Sequence, residues 1–388
     1  MTDQVAATVQ RYVDSERFAG IEWAVDVARE TVSAGQVGLA DVGQGKPIPE
    51  SALYRIYSMT KPIVSVLALK LIDQGKLRLY DMLPQFDPRF AQLRVLTPDG
   101  SIVPAQRPIT VEDLITHRAG FTYEFIHGCH IAQYYREAQI IADGRRSLDD
   151  MMGALAEQPL AFQPGSMFRY SVCIDVLAHV CQRAADKPLD QLLNEEIFAP
   201  LGMMETSFCV AADEQSRVMS MYGVGDLQGL PPLDITPQTL EPMDVEEMYP
   251  LDHADFQRGG HGLYSTLADY QKFARMLLNG RGADDQVILS SAMHRALQVN
   301  RIPAHQLPLR IGPNVLAGYG WGLVGRVMMD SGQGLSLTGD GEFGWAGAAS
   351  TYFWVDPARQ MTGVLMSQYL GASMPLSDDV RTAAYQLL

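Results

Sequence analysis

The sequence predicts an α/β protein, with one body built from both ends of the chain and an inserted, mainly helical region between them. Three observations carry this reading. Residues 20–38, "GIEWAVDVARETVSAGQVG", alternate apolar and polar side chains and read as paired strands. Strand texture returns near the end, in "YGWGLVGRVMM" (319–329), "LSLTGDG" (335–341), "GWAGAASTYFWVD" (344–356) and "MTGVLMSQY" (361–369). Helical patterns fill most of the stretch between. The expected division is an α/β body of residues 1–80 and 255–388 and a mainly helical insert of residues 81–254 with cleft-lining loops.

The elements follow in chain order. Residues 3–17 read as a helix. "PIVSVLALKLIDQGKL" (62–77) reads as a mostly apolar helix stopped at Gly75. "TVEDLITHRAGF" (110–121) opens with Thr110 in N-cap position. Residues 175–203 read as two helices, interrupted near Lys187–Pro188 and closed by Pro200 and Gly202. The Pro-, Gly- and acid-rich stretch 222–256 lacks periodicity and reads as a long loop, of the kind that lines clefts. "LADYQKFARMLLNG" (267–280) is a helix with Phe273, Met276 and Leu277 on one side, and "DDVRTAAYQLL" closes the chain as another.

Composition narrows the function classes. The 388 residues are 47% hydrophobic and 19% charged, an ordinary globular balance with chain enough for a large core. The net charge of −15 argues against nucleic acid as a partner. No apolar run approaches the ~18 residues of a spanning helix, so no membrane is expected. The opening "MTDQVAATVQRYVDSERFAG" has neither a basic n-region nor an apolar h-region, and a cytoplasmic location is expected. The four cysteines, Cys129, Cys173, Cys181 and Cys209, form no CxxC pair and no metal-ligand spacing. Buried free thiols are expected, with no metal and no cofactor. Monomer and homodimer are both compatible with the composition.

The chemistry concentrates in "RIYSMTKPIVS" (55–65). Residues three apart share a helix face, so Ser58 and Lys61 point the same way. Pro62 belongs in a first helical turn, which places Ser58 at the helix N-terminus. Free N–H groups and the positive end of the helix dipole suit a nucleophile whose attack creates an oxyanion. A buried lysine one turn away can take the serine proton. A bare SxxK also occurs as an ordinary helix start. Three other stretches add weight. "QPGSMFRYSVCIDVLAHV" (163–180) sets Tyr170 after a Pro-Gly turn, where it can act as a proton relay or simply pack. "GEFGWAGAAST" (341–351) puts Gly347 and Ala348 where a substrate carbonyl can approach a strand, with Ala348 N–H as an oxyanion donor. "GGHGLYSTLADYQKFARMLLNG" (259–280) is a glycine-rich entry into a helix, and on its own it reads only as a loop.

SMTK (58–61), "LITHRAGF" (114–121), "PGSMFRYS" (164–171), "PLGM" (200–203), "GGHGLYSTLADYQKFARMLLNG" and "GWAGAAS" occur in an order that resembles the serine β-lactamase-like superfamily. Within it the chain looks most like family VIII carboxylesterases, relatives of class C β-lactamases and D-alanyl carboxypeptidases. The resemblance implies a β-lactamase/transpeptidase-like fold, in which an antiparallel sheet is flanked by helices and carries a helical insert. It implies Ser58 as acylated nucleophile, Lys61 and Tyr170 as the groups sharing acid–base work, and Trp345-Ala346-Gly347 in the place of Lys-Thr-Gly. Ser58 and Ala348 would supply the oxyanion N–H groups.

Two departures bear on substrate. Trp345 stands where the family's lysine holds a carboxylate, and Val172 stands where Tyr-x-Asn has its amide. Such a site should accept apolar esters over β-lactams. The expected function is a serine carboxylesterase for small or medium acyl esters. The alternatives are an acyltransferase, a β-lactamase or D-alanyl carboxypeptidase, or a non-catalytic binding protein. The aromatic stretch 121–135, Tyr123 included, is expected either to wall the cleft or to join the core. No GxSxG, HExxH, P-loop or Rossmann fingerprint occurs. Asp252–His253 and His261 leave a histidine base open as a lesser reading, and His117 is expected to be structural.

Overall fold

The two strand-rich ends of the chain meet in one sheet. The computed structural model describes residues 3–126, 128–223, 240–312, 314–371 and 375–388. Its eight-stranded sheet runs in the order Tyr319–Trp321, Arg326–Met328, Phe343–Gly347, Thr351–Asp356, Met361–Ser367, Gly20–Val27, Glu30–Asp41 and Lys46–Pro47. Every neighbouring pair is antiparallel. The junction of the two ends is the pairing of Gly20–Val27 with Met361–Ser367, where Trp23 faces Leu365 and Ile21 faces Ser367.

Alternation decides which face each side chain covers. On Thr351–Asp356, Tyr352 and Trp354 turn toward a core shared with the terminal helices Gln4–Asp14 and Leu376–Ala384. Phe353 and Val355 turn the other way, into the larger core. That core also takes Phe273, Met276 and Leu277 of the helix Leu267–Asn279, and most of the helices Thr60–Asp73 and Cys173–Ala185. Trp354 fits because its cross-strand partner is Gly363, where a Cβ would stand 2.0 Å from the indole.

Helix ends follow local chemistry. Thr110 caps Val111–Ile115 with a reciprocal bond from Asp113, and Thr266 caps Leu267–Asn279. Gly280, at φ +75°, ends the latter helix. The 175–203 stretch breaks after Ala185, with Asp186 left-handed, and resumes as Leu189–Leu193.

Some strand expectations need correction. "LSLTGDG" is not a strand. It lies in an irregular crossing between Arg326–Met328 and Phe343–Gly347, with Leu335 90% exposed. Its polar side chains bond locally instead, Thr338 to Glu342 at 2.6 Å and Asp340 to the Ser331 N–H at 2.7 Å. "GWAGAASTYFWVD" contains a turn, so it supplies two strands of a hairpin. The helices His130–Glu137 and Leu148–Ala156 were not anticipated. Of the 222–256 stretch, residues 224–239 lie outside the described residues.

Candidate active site

Pro62 sits in the first turn of Thr60–Asp73, and a 3₁₀ turn, Tyr57–Met59, leads into it. Ser58 therefore lies at the helix entrance, as the spacing requires. Tyr57 just before it has φ +43°, a left-handed conformation that costs a side-chain-bearing residue about 1–3 kcal/mol. Its ring is held edge-on to Tyr249, with centroids 5.0 Å apart.

Lys61 is 3% exposed. Its Nζ donates to Ser58 Oγ at 3.1 Å and to the Gly260 carbonyl at 2.6 Å. The ammonium also lies 4.7 Å from the Tyr170 ring centroid and 5.2 Å from that of Tyr123. Three groups thus aim the lysine at the serine: a backbone carbonyl and two aromatic faces.

The Gly260 carbonyl comes from the segment that reads in sequence as a plain loop. Its glycines have a packing reason. A Cβ on Gly259 would stand 2.5 Å from Ala178 Cβ, and one on Gly260 would stand 2.3 Å from Asp175 Oδ2. The turn is wedged against the first turns of Cys173–Ala185, and Asp175 Oδ1 accepts from Gly260 N–H at 2.8 Å. Asp175 is fully buried. Burial holds its carboxyl above the usual range, opposed by Lys61, the Gly260 N–H and Arg258. Arg258, also fully buried, donates to the Asp143 carbonyl at 3.1 Å, and burial pushes its guanidinium down to about 10. Asp175, Arg258 and Gly260 were not singled out in the sequence. Asp175 lies five residues after Tyr170, and no local pattern announces that it faces a loop 85 positions away.

Tyr170 is fixed by aromatic neighbours. Trp345 Nε1 donates to its hydroxyl at 3.0 Å, and the His117 and Trp345 rings lie 4.8 and 5.1 Å from it, centroid to centroid. His117 is fully buried, and its Nδ1 lies 3.3 Å from Ser171 Oγ. Burial, reinforced by Lys61, holds His117 well below the usual imidazole range, so it stays neutral. Val172, in the place of the family's amide, is buried in the apolar core. At Gly347 the missing side chain admits the chain itself: a Cβ there would stand 2.4 Å from the Ile56 carbonyl. The strand end is thereby pressed against the segment that delivers Ser58.

Ser58, Tyr123, Tyr170, Trp345, Gly347 and Ala348 all line one cavity of about 580 Å³. The aromatic stretch 121–135 divides. Tyr123 and Phe125, stacked at 4.7 Å, line the cavity, whereas Phe121 and Tyr135 are core. From the 222–256 stretch Met248 and Tyr249 reach the cavity. Arg55 ties that wall down by bonding the Tyr249 carbonyl at 3.3 Å and Glu246 at 3.3 Å. His261 lines the cavity too. Burial holds it well below the usual imidazole range, and it is Lys61 that bonds Ser58. Asp252 and His253 are not among the lining residues. Among the described residues, no helix is long and apolar enough to cross a membrane.

A helix-entrance serine bonded to a buried lysine, packed against the strand Phe343–Gly347 of an antiparallel sheet, defines the class: a β-lactamase-fold serine hydrolase. The family model described as Beta-lactamase matches residues 5–387, and the chain belongs to that family. Protein Rv1367c of Mycobacterium tuberculosis is 31% identical over 371 residues, covering 94% of this chain and 89% of its own. Esterase EstB of Burkholderia gladioli is 29% identical over 373 residues, covering 90% and 86%. Among solved structures, EstCE1, described as a hydrolase with promiscuous acyltransferase activity, superposes with a TM-score of 0.82 at 24% identity, covering 98% of this chain and 97% of that one. The last likeness is one of fold.

Proposed function

We propose that this protein is a serine carboxylesterase that hydrolyses small or medium acyl esters through an acyl-enzyme on Ser58. The observation that carries the reading is the contact of Lys61 Nζ with Ser58 Oγ at 3.1 Å, beneath an aromatic cavity. The Ser58 proton passes to the base formed by Lys61 and Tyr170 as Oγ attacks the ester carbonyl. The oxyanion is received by the N–H groups of Ser58 and Ala348. The C–O bond to the alcohol then breaks, and the alkoxide leaves with a proton from Tyr170. Water repeats the path, releasing the acid and restoring Ser58. The Trp345 N–H on the Tyr170 hydroxyl orients that relay.

The preference for esters rests on the same two positions that depart from the lactamase pattern. Trp345 offers no cation to a β-lactam carboxylate, and Val172 offers no amide. The likeness to EstB supports this substrate class. A second reading keeps the acyl-enzyme and passes it to an alcohol in place of water; the promiscuous acyltransferase activity named for EstCE1 favours keeping it.

The test is turnover of short p-nitrophenyl esters by wild type and Ser58→Ala, beside nitrocefin. We expect ester turnover to fall at least ~10³-fold in the variant, with little nitrocefin cleavage in wild type. Turnover that survives Ser58→Ala removes the nucleophile. Fast nitrocefin cleavage makes the protein a lactamase. Added butanol that diverts most of the acyl group into butyl ester favours the transferase.

A further inference from the structure

Lys61 is aimed by a carbonyl from a distant part of the chain, and that carbonyl has to be held in its turn. The 258–262 turn closes on itself through the Arg258 carbonyl, which accepts from the His261 N–H at 3.3 Å and from the Gly262 N–H at 2.8 Å. Side chains from two helices then tie its backbone to the site. Thr60 Oγ1, in the first turn of Thr60–Asp73, accepts from the Leu263 N–H at 3.1 Å. Asp175 Oδ1 accepts from the Gly260 N–H at 2.8 Å.

The two ties belong to the two halves of the acid–base pair. Thr60 directly precedes Lys61. Asp175 lies in the first turn of Cys173–Ala185, the helix that begins three residues after Tyr170. Gly260 stands between them, its N–H bonded to Asp175 and its carbonyl oxygen accepting from Lys61 Nζ at 2.6 Å. A path of hydrogen bonds thus runs from Asp175 through Gly260 and Lys61 to Ser58 Oγ. A shift of Asp175 Oδ1 would be passed to the carbonyl that keeps the ammonium 3.1 Å from Ser58 Oγ and 4.7 Å from the Tyr170 ring centroid.

Stability alone does not account for this carboxyl. It is fully buried, and its second oxygen, Oδ2, has no hydrogen-bond partner among the described residues. Nε and Nη1 of the buried Arg258, in the same turn as Gly260, have none either. An apolar side chain of similar size would avoid the unpaired oxygen. Such a side chain could not supply an acceptor for the Gly260 N–H.

We propose that Asp175 is a positioning residue of the serine–lysine site, holding Gly260 so that its carbonyl keeps Lys61 on Ser58 and beside Tyr170. The chemistry rests on the esterase reading; the geometry does not, and the test reads both. In Asp175→Ala, kcat for a short p-nitrophenyl ester is expected to fall about 50-fold with KM within about twofold, because reacting atoms shift and the binding wall does not. Asp175→Asn keeps an acceptor at the same reach and should recover kcat to within about fivefold of wild type. Crystal structures of the two variants should show Lys61 Nζ beyond ~3.5 Å from Ser58 Oγ in Asp175→Ala and in contact with it in Asp175→Asn. If Asp175→Ala does not fold, Asp175→Ser takes its place, its shorter side chain falling short of the Gly260 N–H. A lower Tm with wild-type kcat in Asp175→Ala overturns the proposal and leaves Asp175 as a helix-end residue. An equal fall in Asp175→Ala and Asp175→Asn overturns it too, assigning the effect to charge. So does a Lys61–Ser58 contact unchanged in the Asp175→Ala crystal. Wild-type protein that turns over no ester would sink the esterase reading alone, because the Lys61–Ser58 contact is still read from the crystals.

Discussion

The two sides of the cleft are built differently. The side that carries Ser58 is made of helix first turns and glycines in contact: Cys173–Ala185 and the 258–262 turn leave no room for a methyl group between them, and Lys61 of Thr60–Asp73 bonds the Gly260 carbonyl of that turn. The opposite side is made of side chains from separate segments, Tyr123 to Phe125, Ile141, Met248 and Tyr249, and Ile311 and Asn314. The first side is fixed by backbone, and small changes in it displace reacting atoms. The second side is fixed by side chains, and changes in it alter which ligand fits.

Three substitutions test that contrast, and their effects should fall in order. Gly260→Ala is expected to do most. Its Cβ would overlap Asp175 Oδ2 in a buried place, costing about 1–3 kcal/mol of stability. It would also shift the carbonyl that aims Lys61, and kcat for a p-nitrophenyl ester should fall about 100-fold. A fall under threefold in a folded variant would show that the turn yields, and that the packed side is not rigid. Trp345→Phe comes second. It keeps an aromatic ring, though a smaller one, and removes the N–H donated to Tyr170, worth about 1 kcal/mol, so kcat should fall five- to tenfold with KM little changed. A change in KM alone would move Trp345 to the recognition side. Met248→Ala comes last, with kcat within about twofold and KM raised about threefold for a butyrate or longer ester. A larger effect on kcat than on KM would erase the distinction between the two sides.

Legibility from sequence follows the same line. Ser58, Lys61 and Pro62 could be read because their geometry is set within one helical turn. Tyr170 and Trp345 are named by the order of motifs; that one bonds the other on the wall of one cavity is seen only in the structure. Asp175, Arg258 and Gly260 were not legible, because what matters about them is a contact between distant segments. Gly347 lines the cavity, and its lack of a side chain also admits the Ile56 carbonyl, a contact that no local pattern announces. The aromatic stretch 121–135 could be read only as wall or core, because which of its rings meets the cavity depends on segments far away in sequence. For the fold, alternation found the strands wherever a partner strand lay alongside. It failed in "LSLTGDG", where the alternating residues pair with no strand, and Leu335 and Leu337 are left exposed. Alternation records side-chain order and not the presence of a neighbour to bond.

The junction of the two chain ends has a consequence for how the molecule is made. Ser367 Oγ donates to the Gly20 carbonyl across 347 positions of sequence. The strand Gly20–Val27 leaves the ribosome early and then waits for Met361–Ser367. At ~10 residues per second that delay is about half a minute. Throughout it the hydrogen-bonding edge of Gly20–Val27 that Met361–Ser367 later fills is open, and the sheet closes only after that strand has emerged. A nascent chain stalled before residue 361 would hold the Ser58 helix but not the completed sheet behind it.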